Sequence, residues 1–478
     1  MKFDPPGRFR DVAAFRARLR ELDAGFDADA DLLAADGPLG QPYALCGHRL
    51  GNRFAVHPME GWDGSAEGRP SALTRRRWRR FGASGADLIW GGEAFAVQRD
   101  GRANPHQLYL HGPEARADLE ELLTALRAGR CDGAGGGGGD GLFVGLQLTH
   151  SGRFARPEGA PAPRPAAPHP VLDAQAPATP LTDAELEGIG SAYVEAARTA
   201  AAAGFDFVDL KCCHGYLLHE LLGARARPGP YGGSFENRTR FFRNLVGAVR
   251  AACPGLEIGV RLSVGDALPH AIDPATGVGA PLGWRPGERW EHGFGIDAAD
   301  PENFDFTEPF RFLELLRELR IGLVNVTLGS PYYCPHLQRP AAYPPSDGYP
   351  PPRDPLLEVA RHLQATSAVK AAFPDLCVVG TGYSYLQEWL PHVAQHELRS
   401  GHVDFVGLGR MVLSYPELPR DVLAGRPLER RAICRTFSDC TTAPRNGLPS
   451  GCYPLDAAYR ELEQAAALRA IKRAATRL

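Results

Sequence analysis

Two glycine pairs in the second half of the chain have the spacing of a phosphate-binding turn. Gly380-Thr-Gly382 and Gly407-Leu-Gly409 each end a short apolar run, and Arg410 follows the second pair directly. Glycines allow backbone N–H groups to approach phosphate oxygens. An arginine guanidinium can donate two parallel hydrogen bonds to two of those oxygens. One such pair is common in ordinary turns, but two pairs followed by an arginine favour a phosphate site.

Two polar side chains lie inside apolar runs, where an unpartnered polar group is costly. Gln147 can donate to and accept from the amide edge of a planar ligand, and an amide satisfied inside the protein is the alternative. Arg261 would meet an anion or an electron-rich ring, with a structural salt bridge as its alternative. Together they indicate a flat, electron-rich ligand.

The segment Lys211-Cys-Cys-His214-Gly-Tyr216 follows an apolar run and carries groups suited to acid–base chemistry. His214 and Tyr216 are two residues apart, so both can face one opening. The histidine would bind a carbonyl or anionic oxygen, and the tyrosine O–H would donate a proton. The two adjacent cysteines are interpreted as small buried residues, because neighbouring residues on a strand point to opposite faces.

Eight short apolar runs must position these residues. They are rich in Val, Ile, Leu and Phe and lack alternation, which is typical of strands buried on both faces. Helical patterns separate them, so a closed (β/α)₈ TIM barrel is predicted, with its chemistry at the carboxyl ends of the strands. The runs cover residues 53–59, 86–93, 142–148, 206–211, 257–263, 321–329, 376–382 and 402–410.

Predicted helices lie between the runs. The capping box Thr182-Asp-Ala-Glu185 marks the start of one helix. The others are predicted at residues 72–83, 113–128, 235–252, 308–319, 356–372, 386–397 and 417–424, and the lead-in holds an amphipathic stretch at residues 11–22.

Three segments interrupt the alternation of strands and helices. Residues 133–141 are nearly all glycine and are expected to form a loop. Residues 154–180 are rich in Pro and Ala, and a disordered insertion and a lid over the site are equally supported. Residues 264–306, which contain Trp284 and Trp290, are expected to be an ordered excursion on the same side.

Composition excludes several classes of protein. The chain has 478 residues and a net charge of −3, so an electrostatic nucleic-acid partner is not expected. No apolar stretch is long enough for a membrane span or a secretory signal, which predicts a cytoplasmic protein without a membrane partner. The ten cysteines are scattered and form no disulfide framework. The oligomeric state, including a homodimer, is left open.

Six segments, in order, resemble the Old Yellow Enzyme / NADH:flavin oxidoreductase family. They span roughly residues 40–425, and the fourth is the most specific. The segments are NRFAVHPM (52–59), GLQLTHSGR (145–153), AAGFDFVDLKCCHGYLLHELL (202–222), YGGSFENRTRF (231–241), GVRLS (259–263) and VDFVGLGRMVLSYPELP (403–419).

The resemblance implies a TIM barrel that binds FMN, takes hydride from NADH or NADPH, and passes it to a small-molecule substrate over the flavin. It implies that His214 orients a substrate carbonyl and that Tyr216 protonates the α-carbon. The implied cofactor contacts are Pro58 and Met59 beneath the ring, Gln147 at its pyrimidine edge, Arg261 at N1 and O2, and Gly382, Gly409 and Arg410 at the phosphate.

Two positions depart from the family pattern. Lys211 stands where the family has the first histidine of the substrate pair, which favours an acidic or unusual substrate. Glu60 follows Pro58-Met59 where Thr or Cys is usual, and an ionised carboxylate there would lower the flavin potential. A Lys211–Glu60 ion pair would soften that effect, Glu93 is another possible partner, and Glu60 turned to solvent is the alternative. Glu60 and Glu93 are both predicted to belong to the cofactor-binding set.

The tail, residues 426–478, resembles a remnant of the iron–sulfur region of larger relatives. Cys440 and Cys452 keep the family's spacing and Cys434 lies nearby, but Ile433 and Thr436 occupy the expected ligand positions. A four-iron cluster normally needs four thiolates, so no metal is predicted, with zinc on three cysteines a weak alternative. The expected domains are a lead-in (1–45), an FMN-binding barrel (46–425) and a C-terminal extension packed on it (426–478).

The predicted function is FMN-dependent hydride transfer from NAD(P)H to an activated alkene. The alternative within flavin chemistry is a dehydrogenase or demethylase that acts on an amine or similar donor, as in the cluster-bearing relatives. A Schiff-base lyase that uses Lys211 and a flavin-binding protein without turnover are further classes that the sequence leaves open.

Overall fold

Short apolar segments pair side by side into a closed parallel barrel in the computed structural model, which describes residues 3–133, 141–174 and 177–475. Each barrel strand pairs with the next along the chain, and the last pairs with the first through Val406–Phe54, Gly407–Ala55 and Leu408–Val56. The barrel strands are β1 (Phe54–Val56), β2 (Leu88–Ile89), β3 (Phe143–Thr149), β4 (Phe207–Cys212), β5 (Glu257–Gly265), β6 (Leu323–Leu328), β7 (Cys377–Gly380) and β8 (Phe405–Leu408).

A helix follows each barrel strand, as predicted for a (β/α)₈ barrel. The capping box at Thr182 and Glu185 begins the third helix, which ends at left-handed Gly204. The helices are α1 (Ala72–Ala83), α2 (Ala115–Gly133), α3 (Asp183–Ala203), α4 (Phe235–Ala252), α5 (Thr307–Glu318), α6 (Pro355–Ala372), α7 (Leu390–Arg399) and α8 (Leu418–Leu423).

One helix boundary was predicted wrongly. The helix expected at residues 386–397 is a 3₁₀ segment, Tyr383–Trp389, followed by α7, which begins at Leu390. Gln387 has a φ of 54°, which breaks the helical path. Pro391 lies in the first turn of α7, where its missing N–H leaves no hydrogen bond unmade.

Large aromatic side chains fill the barrel interior, and its amino-terminal end is covered by a two-stranded hairpin, Tyr43–Leu45 and His48–Leu50. The rings of Phe143 and Phe207 stack with centroids 5.2 Å apart. A Cβ at Gly145 would lie 2.2 Å from the Phe207 ring, so only glycine fits there. This filled interior confines any ligand to the opposite end of the barrel.

Both long insertions pack on the carboxyl-terminal side of the barrel. In residues 154–180, the described part holds Val171 against buried Leu268 and Trp290 of the second insertion. Arg153 at its base pairs with the carboxylates of Asp173 and Glu220. The second insertion also contains a hairpin, His270–Ile272 and Gly279–Pro281, and is ordered as expected.

Residues 134–140, which hold most of the expected glycine loop, lie outside the described residues. The remaining elements cap or connect the barrel. They include the strand Ala94–Ala96 beside β3, the helices Val12–Glu21, Leu217–Leu222, Pro335–Gln338 and Met411–Ser414, and the short 3₁₀ turns Pro6–Arg8, Pro38–Gly40, Arg99–Gly101 and Gly152–Phe154.

Three short helices of the tail, Asp439–Arg445, Ala457–Arg460 and Gln464–Ala475, lie beside α1. The Asp456 carboxylate accepts two 2.8 Å hydrogen bonds from Arg76 and also pairs with Arg80. Both arginines belong to α1, so these contacts fasten the tail to the barrel. Among the described residues, no helix is both long enough and apolar enough to cross a membrane.

Candidate functional site

A cavity opens at the carboxyl ends of the barrel strands and joins most of the residues singled out from the sequence. Its walls come from the loops after β1, β4, β6, β7 and β8, from β3 and β5, and from the tail. The sequence-predicted residues that line it are Pro58, Met59, Glu60, Gln147, Lys211, His214, Tyr216, Arg261, Gly382, Gly409 and Arg410.

The turns after β7 and β8 leave open space beside an arginine. A Cβ built at Gly409 would have no neighbour within 4 Å, and Gly382 has a φ of 104°, which favours glycine. The Nη2 of Arg410 donates to the Pro340 carbonyl at 2.7 Å, while its Nη1 is buried and has no partner within the described residues. An open cradle beside a guanidinium with one free nitrogen among the described residues fits a phosphate.

A buried carboxylate positions the two polar residues of the barrel interior. Asp209 accepts from Gln147 Nε2 at 2.6 Å and from the Arg261 backbone N–H at 2.7 Å. Burial raises its pKa to about 6, against the lowering effect of the Gln147 hydrogen bond. The sequence reasoning missed Asp209, although a lone acidic residue in the middle of the apolar run of β4 was the available signal.

Arg261 has the environment of an anion-binding residue. Its side chain forms no ion pair with a carboxylate in the described part of the chain. Its Nη1 donates to the Pro58 carbonyl at 3.2 Å, and its buried Nε has no partner there. Burial lowers its pKa, and a negatively polarised ligand atom would compensate that cost. Arg261, Gln147 and the open cradle therefore fit the FMN that the family resemblance implies.

Glu60 is the centre of a compact polar cluster. Its carboxylate pairs with the Lys211 ammonium and accepts from the Tyr216 hydroxyl at 2.5 Å. The Tyr216 and Tyr332 hydroxyl oxygens are 2.6 Å apart, and the Lys211 Nζ lies 3.8 Å from the centre of the Tyr216 ring. The Lys211–Glu60 pair considered from the sequence is thus present, with Glu60 turned inward rather than to solvent.

Burial and charge set the protonation of the two expected catalytic groups. Burial, and then Glu60, raise the pKa of Tyr216 well above its usual value, so the phenol keeps its proton. Burial, and then Arg261 and Lys211, lower the pKa of His214, so this imidazole is neutral at pH 7. His214 has a φ of 66°, and its Nε2 lies 3.2 Å from Gln338 Nε2.

Glu93 was predicted as a cofactor-binding residue, but the structure places it outside the cavity lining. Its carboxylate accepts from the Gly61 backbone N–H at 2.6 Å and pairs with Arg77, which also pairs with Asp63. The carboxylate is directed toward α1, where Arg77 pairs with it. Lys211 accordingly pairs with Glu60 and not with Glu93.

The cysteines do not form a metal site within the described residues. Cys434, Cys440 and Cys452 line a small cavity that adjoins the main one and shares Arg410 and Cys440 with it. Burial raises the pKa of each thiol. Cys212 and Cys213 are buried thiols of the barrel.

The sequence reasoning also missed one wall of the cavity. Gln338 and Arg339 come from the loop after β6, and Thr441 and Arg445 from the tail. Tyr332 also lines the cavity, and its ring stacks on that of Phe154 with centroids 4.2 Å apart. Local sequence gave no signal for this wall, because it forms only where the tail meets the barrel.

Comparisons with known proteins identify a matching family and similar relatives. The model of the NADH:flavin oxidoreductase / NADH oxidase family matches residues 38–276. The NADPH dehydrogenase of Geobacillus sp. (strain WCH70) is 30% identical over 245 residues, which is 49% of this chain and 65% of that relative, so the chain spans less than two thirds of its length.

Two solved structures share the fold. A 2-naphthoyl-CoA reductase in complex with 2-naphthoyl-CoA has a TM-score of 0.64 and 18% identity, over 88% of this chain and 57% of that one. The old yellow enzyme homologue from Zymomonas mobilis has a TM-score of 0.56 and 20% identity, over 84% of this chain and 96% of that one.

Proposed function

Because the chain belongs to the NADH:flavin oxidoreductase / NADH oxidase family, we propose that it is an FMN-dependent oxidoreductase that reduces an activated alkene with NADH or NADPH. Membership of this family implies FMN as the cofactor. The observation that carries the proposal is one cavity that contains a glycine cradle, a tyrosine, a histidine and two arginines. Each arginine has one buried guanidinium nitrogen without a partner in the described part of the chain.

The cofactor would be held at both ends of the cavity. Gly382, Gly409 and Arg410 would hold the phosphate, while Gln147 and Arg261 would bind the polar edge of the ring. When bound, FMN supplies a hydride that it has accepted from the nicotinamide. Asp209 fixes the positions of Gln147 and Arg261 through its two hydrogen bonds, so the ring edge would meet donors that need little reorganisation.

The substrate would lie against His214 and Tyr216. Neutral His214 would bind the carbonyl oxygen that activates the alkene, and this contact polarises the double bond. Burial and Glu60 raise the pKa of Tyr216, so its hydroxyl group is protonated before the reaction and would donate that proton to the α-carbon. Hydride at the β-carbon and the Tyr216 proton at the α-carbon convert C=C to C–C, and the nicotinamide is oxidised.

The proposal is tested with the purified chain after incubation with FMN. We expect a yellow protein without iron, bleached by NADH or NADPH under anaerobic conditions and recoloured by an α,β-unsaturated ketone. A chain that stays colourless after reconstitution contradicts the assignment of the cofactor. Bleaching by an amine, with no recolouring by any enone, would instead indicate the amine dehydrogenation considered from the sequence.

A further inference from the structure

Arg339 is a cation on the cavity wall without a charged partner. Its Nη1 donates to the Thr441 hydroxyl of the tail, and its Nη2 is buried and has no partner within the described residues. No carboxylate of the described chain forms an ion pair with it. Burial, and then Arg445 and Arg410, lower its pKa. A guanidinium kept charged beside two others is favourable only if an anion joins them.

Arg445 supplies a second charge to the same wall. Its Nη2 donates to the Pro331 carbonyl at 3.0 Å, and its Nη1 lies 2.6 Å from both carboxylate oxygens of Asp347. The Asp347 side chain is 52% exposed, whereas that of Arg445 is 17% exposed. Solvent screens the attraction between the exposed Asp347 carboxylate and Arg445. The guanidinium of Arg445 can therefore still attract an anion in the cavity.

Both arginines adjoin the residues that face the substrate. Gln338, next to Arg339 in the chain, contacts His214. Pro331, which accepts from Arg445, precedes Tyr332, whose hydroxyl contacts that of Tyr216.

The other cations of the cavity are already engaged. Lys211 pairs with Glu60, and Arg77 pairs with two carboxylates behind the wall. In the proposed function, Arg261 binds the polar edge of the FMN ring and Arg410 binds the FMN phosphate.

We infer that Arg339 and Arg445 bind a carboxylate or phosphate group of the organic substrate, which makes the substrate an anionic alkene. This inference rests on the proposed function and names the substrate class of the same site. Lys211 suggested an acidic substrate from the sequence, but its ammonium is taken by Glu60. Arg339 from the loop after β6 and Arg445 from the tail would bind the acidic group instead.

The competing role for Arg339 is the phosphate of FMN, because Arg410 contacts Pro340, the next residue. The adjacency of Arg445 and Gln338 to the substrate side favours the substrate. The two roles differ in one measurable respect, since only a cofactor contact changes the affinity for FMN.

The test compares two probes with the same skeleton, trans-cinnamate and trans-cinnamamide, by calorimetric titration of the FMN-loaded protein. The variants are Arg339→Met and Arg445→Met, which keep much of the side-chain volume. Arg99→Met is the control, because Arg99 forms an exposed pair with Glu158 with side chains 60% and 66% exposed. We expect wild type and control to bind cinnamate about tenfold more tightly than cinnamamide.

Either cavity variant should bring the two affinities to within about twofold, with FMN affinity unchanged. Equal affinities in wild type, or no binding of cinnamate, would overturn the inference. A loss of FMN affinity in Arg339→Met with the cinnamate preference intact would assign that residue to the cofactor. If wild type takes up no FMN, the proposed function fails, and titration of the same protein with both probes still decides the anion site.

Discussion

At the scale of single residues, the Glu60 carboxylate organises the polar cluster of the cavity. The carboxylate accepts from Lys211 and Tyr216 together, so the ammonium of Lys211 already has a charged partner from within the chain. Its ammonium also lies over the Tyr216 ring. The three side chains therefore act as one unit, and a change in one alters the other two.

Removal of the Tyr216 hydroxyl should separate the two halves of the proposed reaction. In Tyr216→Phe we expect flavin reduction by NADPH at the wild-type rate and oxidation by an enone slowed about 100-fold, because general acid catalysis contributes on that scale. Anaerobic stopped-flow absorbance measures each half separately. If only the reductive half slows, Tyr216 is not the proton donor; Tyr193→Phe, at a buried tyrosine outside the cavity lining, is the control.

The Lys211–Glu60 pair should show strong coupling in a double-mutant cycle. The side chains are 4% and 16% exposed, so Lys211→Met leaves a carboxylate largely cut off from water. We expect Lys211→Met to lower the free energy of unfolding by about 3 kcal/mol. Addition of Glu60→Gln should restore most of the loss.

Urea unfolding followed by tryptophan fluorescence measures this coupling. The exposed pair Arg99–Glu158 provides the control cycle, in which each change should stay within about 0.5 kcal/mol. Losses that simply add in the Lys211/Glu60 cycle would show that the two side chains do not interact.

At the scale of elements, strand β4 carries two of the charges that organise the site. Asp209 and Lys211 are two residues apart and share the inner face of the barrel, because side chains alternate along a strand. Asp209 positions Gln147 and Arg261, and Lys211 pairs with Glu60 from the loop after β1. A one-residue change of register in β4 would move both charges out of the barrel.

Asp209 should impose a pH dependence on stability. Its pKa is about 6 in the folded protein against an ordinary value of 3.8, so the folded state binds more protons between these values. Stability due to this group therefore falls as the pH rises from about 4 to about 6 and is constant above that window. We expect the stability of Asp209→Asn, relative to wild type, to increase over the same window by up to about 3 kcal/mol.

Thermal unfolding in a pH series, with exposed Asp36→Asn as the control, measures this difference. A difference between Asp209→Asn and wild type that does not change with pH would mean that the Asp209 carboxyl titrates normally.

At the scale of the whole molecule, the tail is a wall of the cavity as well as a cover for the barrel. Thr441 and Arg445 face the space that Gly409 and Arg410 open from β8. Asp456 holds the tail through Arg76 and Arg80, with its side chain only 4% exposed. Ligand binding and attachment of the tail should therefore be coupled.

Removal of the Asp456 contacts with Arg76 and Arg80 should increase the mobility of the tail while the barrel stays folded. In Asp456→Ala we expect faster trypsin cleavage within residues 426–475, weaker binding of the cinnamate probe, and FMN retained. Asp132→Ala is the matched control, because Asp132 pairs with Arg79 of the same helix in an exposed contact. Unchanged cleavage in Asp456→Ala would show that other contacts hold the tail.

The sequence by itself determined the barrel and most of the residues at its opening. Buried strands need continuous apolar runs and helices need capping residues, so both leave local patterns, as at Thr182. Strand ends of a parallel barrel meet at one rim, so Gln147, His214 and Arg410 could be assigned to a common site.

Only the tertiary structure decided which charges meet. Glu60 and Lys211 are 151 positions apart and Arg339 and Thr441 are 102 apart, and no periodicity links residues at such separations. The carboxylate partner of Lys211 and the assignment of Glu93 to Arg77 follow from how loops and helix α1 pack. Chain connectivity fixes local patterns, whereas side-chain pairing across the barrel depends on the packed arrangement of all its elements.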